Sequence, residues 1–177
     1  MGKQIFRSEI VEWLNELESC RQAIFQVQDK ILKDDWLALI VICSGIDMAL
    51  TFLVKVLCKR GSMIVNGRIR IPLLRRLLVL HEIGVIDDRL FDNVKETIKL
   101  RNKVAHELKK TIDWEGKFSF DKADSVYTEY VQKRREPEEL ADYLIIVWGQ
   151  VIVAGRDALA KRHFDKMKIA TRKMKRN

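Results

Sequence analysis

Apolar side chains recur along most of the chain at spacings of three, four and seven residues, the period of a helix that buries one face. Ile5, Ile10, Trp13, Leu14, Leu17, Ile24, Val27 and Ile31 form one such stripe, which predicts a first amphipathic helix over Ile5–Lys30. Asp34-Asp35 offers an N-cap and a negative first turn for a second helix running to about Lys59. Its apolar residues lie nearly all round, which places it in the middle of a bundle. Gly61 to Gly67 interrupts the pattern; Asn66-Gly67 is a turn signal, and a short hairpin or an irregular loop would both fit. Pro72 suits the first turn of a third helix, Leu73 to about Ile83, with Gly84 where a helix C-cap wants a glycine. Asp87-Asp88 restarts the chain as a fourth helix through roughly Leu108, with Leu90, Phe91, Val94, Ile98, Leu100 and Val104 on its inner face. Trp114 to Phe120 reads as a turn or short hairpin, and a weak helix follows from Asp121 to Arg135. Pro137, with Glu138-Glu139 behind it, opens a long last helix through at least Ala160. The pattern predicts an all-α, up-and-down bundle of about five helices, with antiparallel neighbours joined by short loops.

Composition narrows the class. The 177 residues include 8 Gly and 2 Pro with 47% hydrophobic residues, which excludes collagen-like and disordered chains and suits one domain with a single core. The expected division is one helical domain over residues 1–160 and a basic helical extension or tail over 161–177. Cys20, Cys43 and Cys58 are odd in number, far apart and in apolar surroundings, so they read as reduced core thiols of a cytoplasmic protein. No metal and no cofactor is expected. The N-terminus lacks the apolar run of a secretion signal. Trp36 to Leu57 is long enough to suggest a membrane span, but it contains Asp47, Lys55 and Ser44-Gly45. A buried central helix is the better expectation, and a membrane partner is not expected.

The formal net charge of +8 points toward an anionic partner only as far as its distribution allows. Residues 161–177 carry +7, so residues 1–160 are close to neutral at +1. Two islands stand out in that neutral body: Lys59–Arg76 at +6 and Lys95–Lys110 at +4. They bracket the third helix. Phe164, Met167, Ala170 and Met174 recur at helical spacing among the basic residues of the tail, which would make it a basic amphipathic segment or a solvated helix end.

One segment inside the second island carries candidate chemistry: Lys99-Leu100-Arg101-Asn102-Lys103-Val104-Ala105-His106. This R-N-x-x-x-H pattern resembles the Arg-x(4–6)-His signature of the HEPN superfamily (higher eukaryotes and prokaryotes nucleotide-binding). The preceding phrase, Leu77 through Gly84-Val85-Ile86-Asp87 to Leu90, Val94 and Ile98, is similar to the helix, turn and motif helix of HEPN proteins. Among these it is similar to the mannitol operon repressor group, which often lacks the arginine–histidine pair that this chain keeps. The resemblance implies a HEPN-like fold and a homodimer whose two motifs share one cleft. It further implies metal-independent RNA cleavage, in which the ribose 2′-OH attacks the adjacent phosphate and leaves a 2′,3′-cyclic phosphate. In that reading His106 moves protons, Arg101 stabilises phosphorane charge, and Asn102 orients either the histidine or the phosphate. Asp47 or Ser44 would complete the site from the second helix.

A site that uses both Arg101 and His106 needs a distorted helix end or a second copy, and the resemblance implies the second copy. Positions five apart lie about 140° apart around a straight helix, so Arg101 and His106 do not share a face, whereas Asn102 and His106 lie within about 40°. Lys99, Lys103, Arg75 and Arg76 are the candidate RNA-binding cations. A bland alternative also fits, since an arginine and a histidine near a helix C-terminus complement the macrodipole. Glu12 and Glu16 read as a solvated face, His81 as a core or rim histidine, His163 as part of the tail, and Trp13, Trp36, Trp114 and Trp148 as core or interface anchors. Two functions remain: an RNA-cleaving enzyme of toxin or stress-response type with a cognate antitoxin, or a non-catalytic transcriptional regulator or protein-interaction module that binds a regulatory protein. A direct DNA reader is weaker, because no helix-turn-helix is evident.

Overall fold

The computed structural model describes residues 34–61, 71–107, 117–133 and 136–174, together with Val11, Asn15, Ile112 and Trp114. The helix expected over Ile5–Lys30 and the turn at Asn66-Gly67 lie outside the described residues. The rest is an all-α bundle of five helices: α1 (Asp35–Leu57), α2 (Leu73–Glu82), α3 (Asp88–Glu107), α4 (Ser125–Lys133) and α5 (Leu140–Met174). Residues 117–120, at the expected hairpin, are irregular.

Each helix starts and stops where local side chains satisfy its free backbone groups. Asp34 Oδ1 accepts from the Trp36 and Leu37 amides at 2.9 and 3.1 Å and caps α1. Gly84 adopts φ +70°, a left-handed conformation open to glycine, and lets the Val85 amide reach back to the Leu80 carbonyl at 2.9 Å to close α2. Asp87 Oδ1 then accepts from the Leu90 amide at 2.8 Å and opens α3. Asp124 Oδ1 accepts from the Val126 amide at 2.8 Å and opens α4 at Ser125, four residues later than the periodicity predicts. The last helix runs unbroken through Met174, so most of the basic extension continues it.

α2–α3 and α4–α5 are antiparallel hairpins. His81 Nε2 pairs with Asp88 Oδ1 at 2.8 Å across the first hairpin, and its ring packs on Phe91 with centroids 4.7 Å apart. Tyr130 donates to the buried Asp142 carboxylate across the second, and the other oxygen of Asp142 accepts the Glu138 and Glu139 amides at 3.2 Å. α1 and α5 instead lie side by side and parallel. Gly45 faces Trp148, Leu53 faces Gly155, and Arg162 reaches the Val56 carbonyl at the end of α1. Their close approach follows from the small residues: with no side chain at Gly45 or Gly155, an indole or isobutyl group from the facing helix settles against backbone.

These two helices hold most of the core. Leu39, Ile42, Ile46, Leu50 and Leu53 of α1 are buried against Leu144, Ile146, Val147 and Val151 of α5. α1 and residues 140–169 of α5 are also the described segments long and apolar enough to cross a membrane, and more than half of each apolar window is buried inside the fold. Leu77, Leu80, Leu90, Val94 and Val104 close the core from α2 and α3.

A Cβ at Gly45 would stand 3.0 Å from the Trp148 ring, so Gly45→Val should cost about 1–3 kcal/mol by overpacking. Met48→Ala, on the 64% exposed face of the same helix, should stay within about 0.5 kcal/mol. Urea denaturation of the two variants measures the difference.

Candidate functional site

A charged residue inside an apolar helix must find a partner, because burying it alone costs several kcal/mol. Asp47 finds Arg76. The arginine comes from the first turns of α2, where the Pro72 carbonyl accepts its amide at 3.2 Å. Its side chain is 7% exposed and donates to Asp47 and to Thr51 Oγ1, while Nε donates to the Ile71 carbonyl at 3.0 Å. Thr51 Oγ1 also donates to Asp47 at 3.3 Å. The network ties α2 to α1 and leaves the Asp47 carboxylate 38% exposed at the floor of a cleft.

That cleft has a volume of about 410 Å³, and its walls include Cys43, Ser44, Asp47, Arg76, Ile98 and Arg101. Four of the residues singled out from sequence therefore meet: Arg101 from α3, Ser44 and Asp47 from α1, and Arg76 from α2. The Arg101 guanidinium is exposed at the rim and donates to Asn102 Oδ1 at 3.1 Å. The Ser44 hydroxyl donates to the Ile40 carbonyl at 2.8 Å, which leaves its oxygen as an acceptor. Buried beneath Arg101, the Cys43 thiol is pushed up to about 12 by desolvation, an effect the guanidinium charge partly offsets. Its Sγ lies 3.8 Å from the Thr97 carbonyl.

The other candidates lie elsewhere. His106 is exposed on α3 and is not part of the cleft wall. α3 stays α-helical from Asp88 to Glu107, so Arg101 and His106 keep their offset of about 140°. Lys99 and Lys103 project to the opposite side of α3, where they line a second cleft with Trp114, Lys117 and Phe118. Arg75 is exposed. Arg76, read from sequence as an outward RNA-binding cation, is instead the internal partner of Asp47. Among the described residues no cluster of His, Cys, Asp or Glu suits a metal ion.

One residue was not singled out from sequence, and another was singled out for a different role. Arg76 could have been read as a core residue, because Asp47 interrupts an apolar run and needs a counter-charge. Asn93 gave no such signal. It is 2% exposed on α3, and its side-chain amide clips the Ser119 backbone in both directions, donating to the carbonyl at 2.8 Å and accepting from the amide at 3.0 Å.

Comparison with protein-family models, with curated proteins and with solved structures finds no match for this chain. The functional reading therefore rests on the residues themselves.

Asp47→Ala leaves the Arg76 guanidinium buried without its carboxylate and should cost about 1–3 kcal/mol. Asp47→Asn keeps an acceptor oxygen and should recover part of that loss, as thermal melting would show. Iodoacetamide should alkylate the half-buried Cys58 before Cys43, whose thiol is both buried and held protonated. Mass-spectrometric peptide mapping over time reads the order directly.

Proposed function

We propose that the protein is a cytoplasmic, HEPN-like endoribonuclease that acts as a homodimer without a metal, of toxin or stress-response type. The observation that carries this reading is the convergence of Arg101, Ser44 and Asp47 on one cleft beside the R-N-x-x-x-H motif. An exposed guanidinium above a carboxylate and a hydroxyl suits a phosphodiester: the arginine meets the phosphate oxygens and stabilises the charge that grows on them in the transition state. Asp47, already held by Arg76, adds a fixed acceptor for a ribose hydroxyl. The proton-transfer group is His106. Because it points away from Arg101 on its own helix, the partner copy supplies the histidine, and the two-fold arrangement makes each site from both chains. The 2′-OH attacks phosphorus, a histidine takes its proton, and the 5′-oxygen leaves protonated, giving a 2′,3′-cyclic phosphate and a 5′-OH.

A second reading, a non-catalytic regulator resembling the mannitol operon repressor group, is favoured by a different observation. Leu37, Ile40 and Met48 form an exposed apolar stripe on α1, at 42%, 39% and 64%, of the kind a protein partner covers. Under that reading Arg101 and His106 serve only the end of α3, and the partner is a regulatory protein rather than RNA.

Incubation with structured RNAs in EDTA separates the two. The ribonuclease reading expects fragments ending in 2′,3′-cyclic phosphate, with Arg101→Ala and His106→Ala each lowering the cleavage rate by about 10²-fold or more. Cleavage that is absent, or that survives both substitutions, sinks the reading, and so does a strict monomer by light scattering at tens of micromolar.

A further inference from the structure

The second cleft, of about 360 Å³ on the other side of α3, has walls of two kinds. Trp114, Phe118 and Leu100 make an apolar wall, and Lys99, Lys103 and Lys117 stand around it. Glu96 is the acid among them, 3.0 Å from Lys99. A flat apolar surface beside several amines is what a nucleotide requires, with a base for the aromatic face and phosphate for the cations. The volume falls within the range of small-ligand sites.

The aromatic wall is held in place. Asn93 clips Ser119 to α3 and so fixes Phe118 and Phe120 on either side of it. Phe118, Phe120 and Tyr143 then stack nearly parallel, at interplanar angles of 12–19° and centroid distances of 5.7–6.4 Å. Trp114 differs from these rings. Its described neighbours Tyr143 and Phe118 meet it at 61° and 56°, so neither covers an indole face by flat stacking. The side chain is half-buried and lines the cleft, where it offers apolar aromatic surface to a further flat ring.

Position along α3 links this cleft to the motif. Lys99 and His106 are seven residues apart, within about 20° around the helix and about 10 Å along it. A strand leaving the cleft along this face passes His106.

We propose that the cleft binds one nucleotide of a single-stranded RNA, with the base laid on the Trp114 indole and the phosphates held by Lys99 and Lys103. The assignment rests on the reading of the protein as RNA-directed and adds where and how the strand is held. Stacking tolerates any base, so the subsite grips the strand without reading its sequence, and it selects single strands because a paired base cannot reach the indole.

Fluorescence anisotropy with the full chain in EDTA tests this, using a fluorescein-labelled ten-nucleotide RNA of mixed sequence, a blunt RNA duplex and AMP as competitor. Trp114→Ala should weaken single-strand binding by about tenfold or more, and Trp114→Phe should hold it within about threefold of wild type. Lys99→Ala/Lys103→Ala should weaken binding and lower the slope of log affinity against log salt by about 1–2. A melting curve shows whether Trp114→Ala still folds; if it does not, Trp114→Phe and the lysine pair carry the test. Unchanged single-strand affinity in the alanine and lysine variants, duplex bound as tightly as single strand, or AMP bound as tightly as the ten-mer would each overturn the proposal. The assays also part this inference from the ribonuclease reading. Cleavage that needs Arg101 alongside normal binding by folded Trp114→Ala removes the subsite alone, whereas binding that needs Trp114 without any Arg101-dependent cleavage removes the catalytic reading alone.

Discussion

The close approach of α1 to α5 is the constraint on which the rest of the bundle depends. Gly45 against the Trp148 ring and Gly155 against Leu53 bring two long apolar helices into contact without side chains to separate them at those points. Packing at that distance fixes rotation and register together, because any sliding drives an indole or a leucine into backbone. Arg162 then satisfies the Val56 carbonyl, so the basic end of α5 contributes one cation to closing α1 rather than to the solvent-facing charge. With α1 and α5 parallel, both hairpins have a defined surface to close against: α2–α3 covers one side of α1, and α4 packs antiparallel on α5.

That arrangement explains how a cleft with charged walls forms beside an apolar core. α1 is buried on the faces that meet α5, α2 and α3, yet Asp47 lies where α2 begins, close enough for Arg76 to reach it. The ion pair is permanent architecture, since separating it would strand a buried guanidinium. Its consequence for chemistry is that the Asp47 carboxylate is positioned before any ligand arrives, which removes an ordering cost from binding. Arg101 stands on a different footing: its guanidinium is exposed, held by Asn102, and free to meet an anion.

The basic island on α3 divides in a way its net charge conceals. Successive odd positions on a helix point to opposite sides, so Arg101 faces the cleft floored by Asp47 while Lys99 and Lys103 face the one walled by Trp114 and Phe118. Asn102 lies on the outer surface between these directions, and His106 lies within about 20° of Lys99. A single helix thus offers a phosphate-binding guanidinium on one flank and an aromatic, amine-rich groove on the other. This division underlies both the proposal that two copies complete one site and the proposal that the strand is held some distance from where it is cut.

Helix ends were legible in the sequence because they are decided locally. The Asp34 and Asp87 caps and the Gly84 stop each involve residues within a few positions of one another, and their chemistry reads directly from residue type; the Asp124 cap is as local but went unread, because Asp121 offered an earlier start. The central place of α1 was legible for a related reason, since a helix apolar on nearly every face has to be surrounded. Asp47, Ser44 and Arg101 were named from resemblance alone, and only the folded chain brings them to one cleft. The parallel pairing of α1 with α5, the inward turn of Arg76, the Asn93 clip and the place of Trp114 on the wall of the second cleft were decided by tertiary structure. Each joins residues tens of positions apart, and which face meets which depends on the shape of the facing helix. Periodicity along one strand of sequence carries no record of that shape.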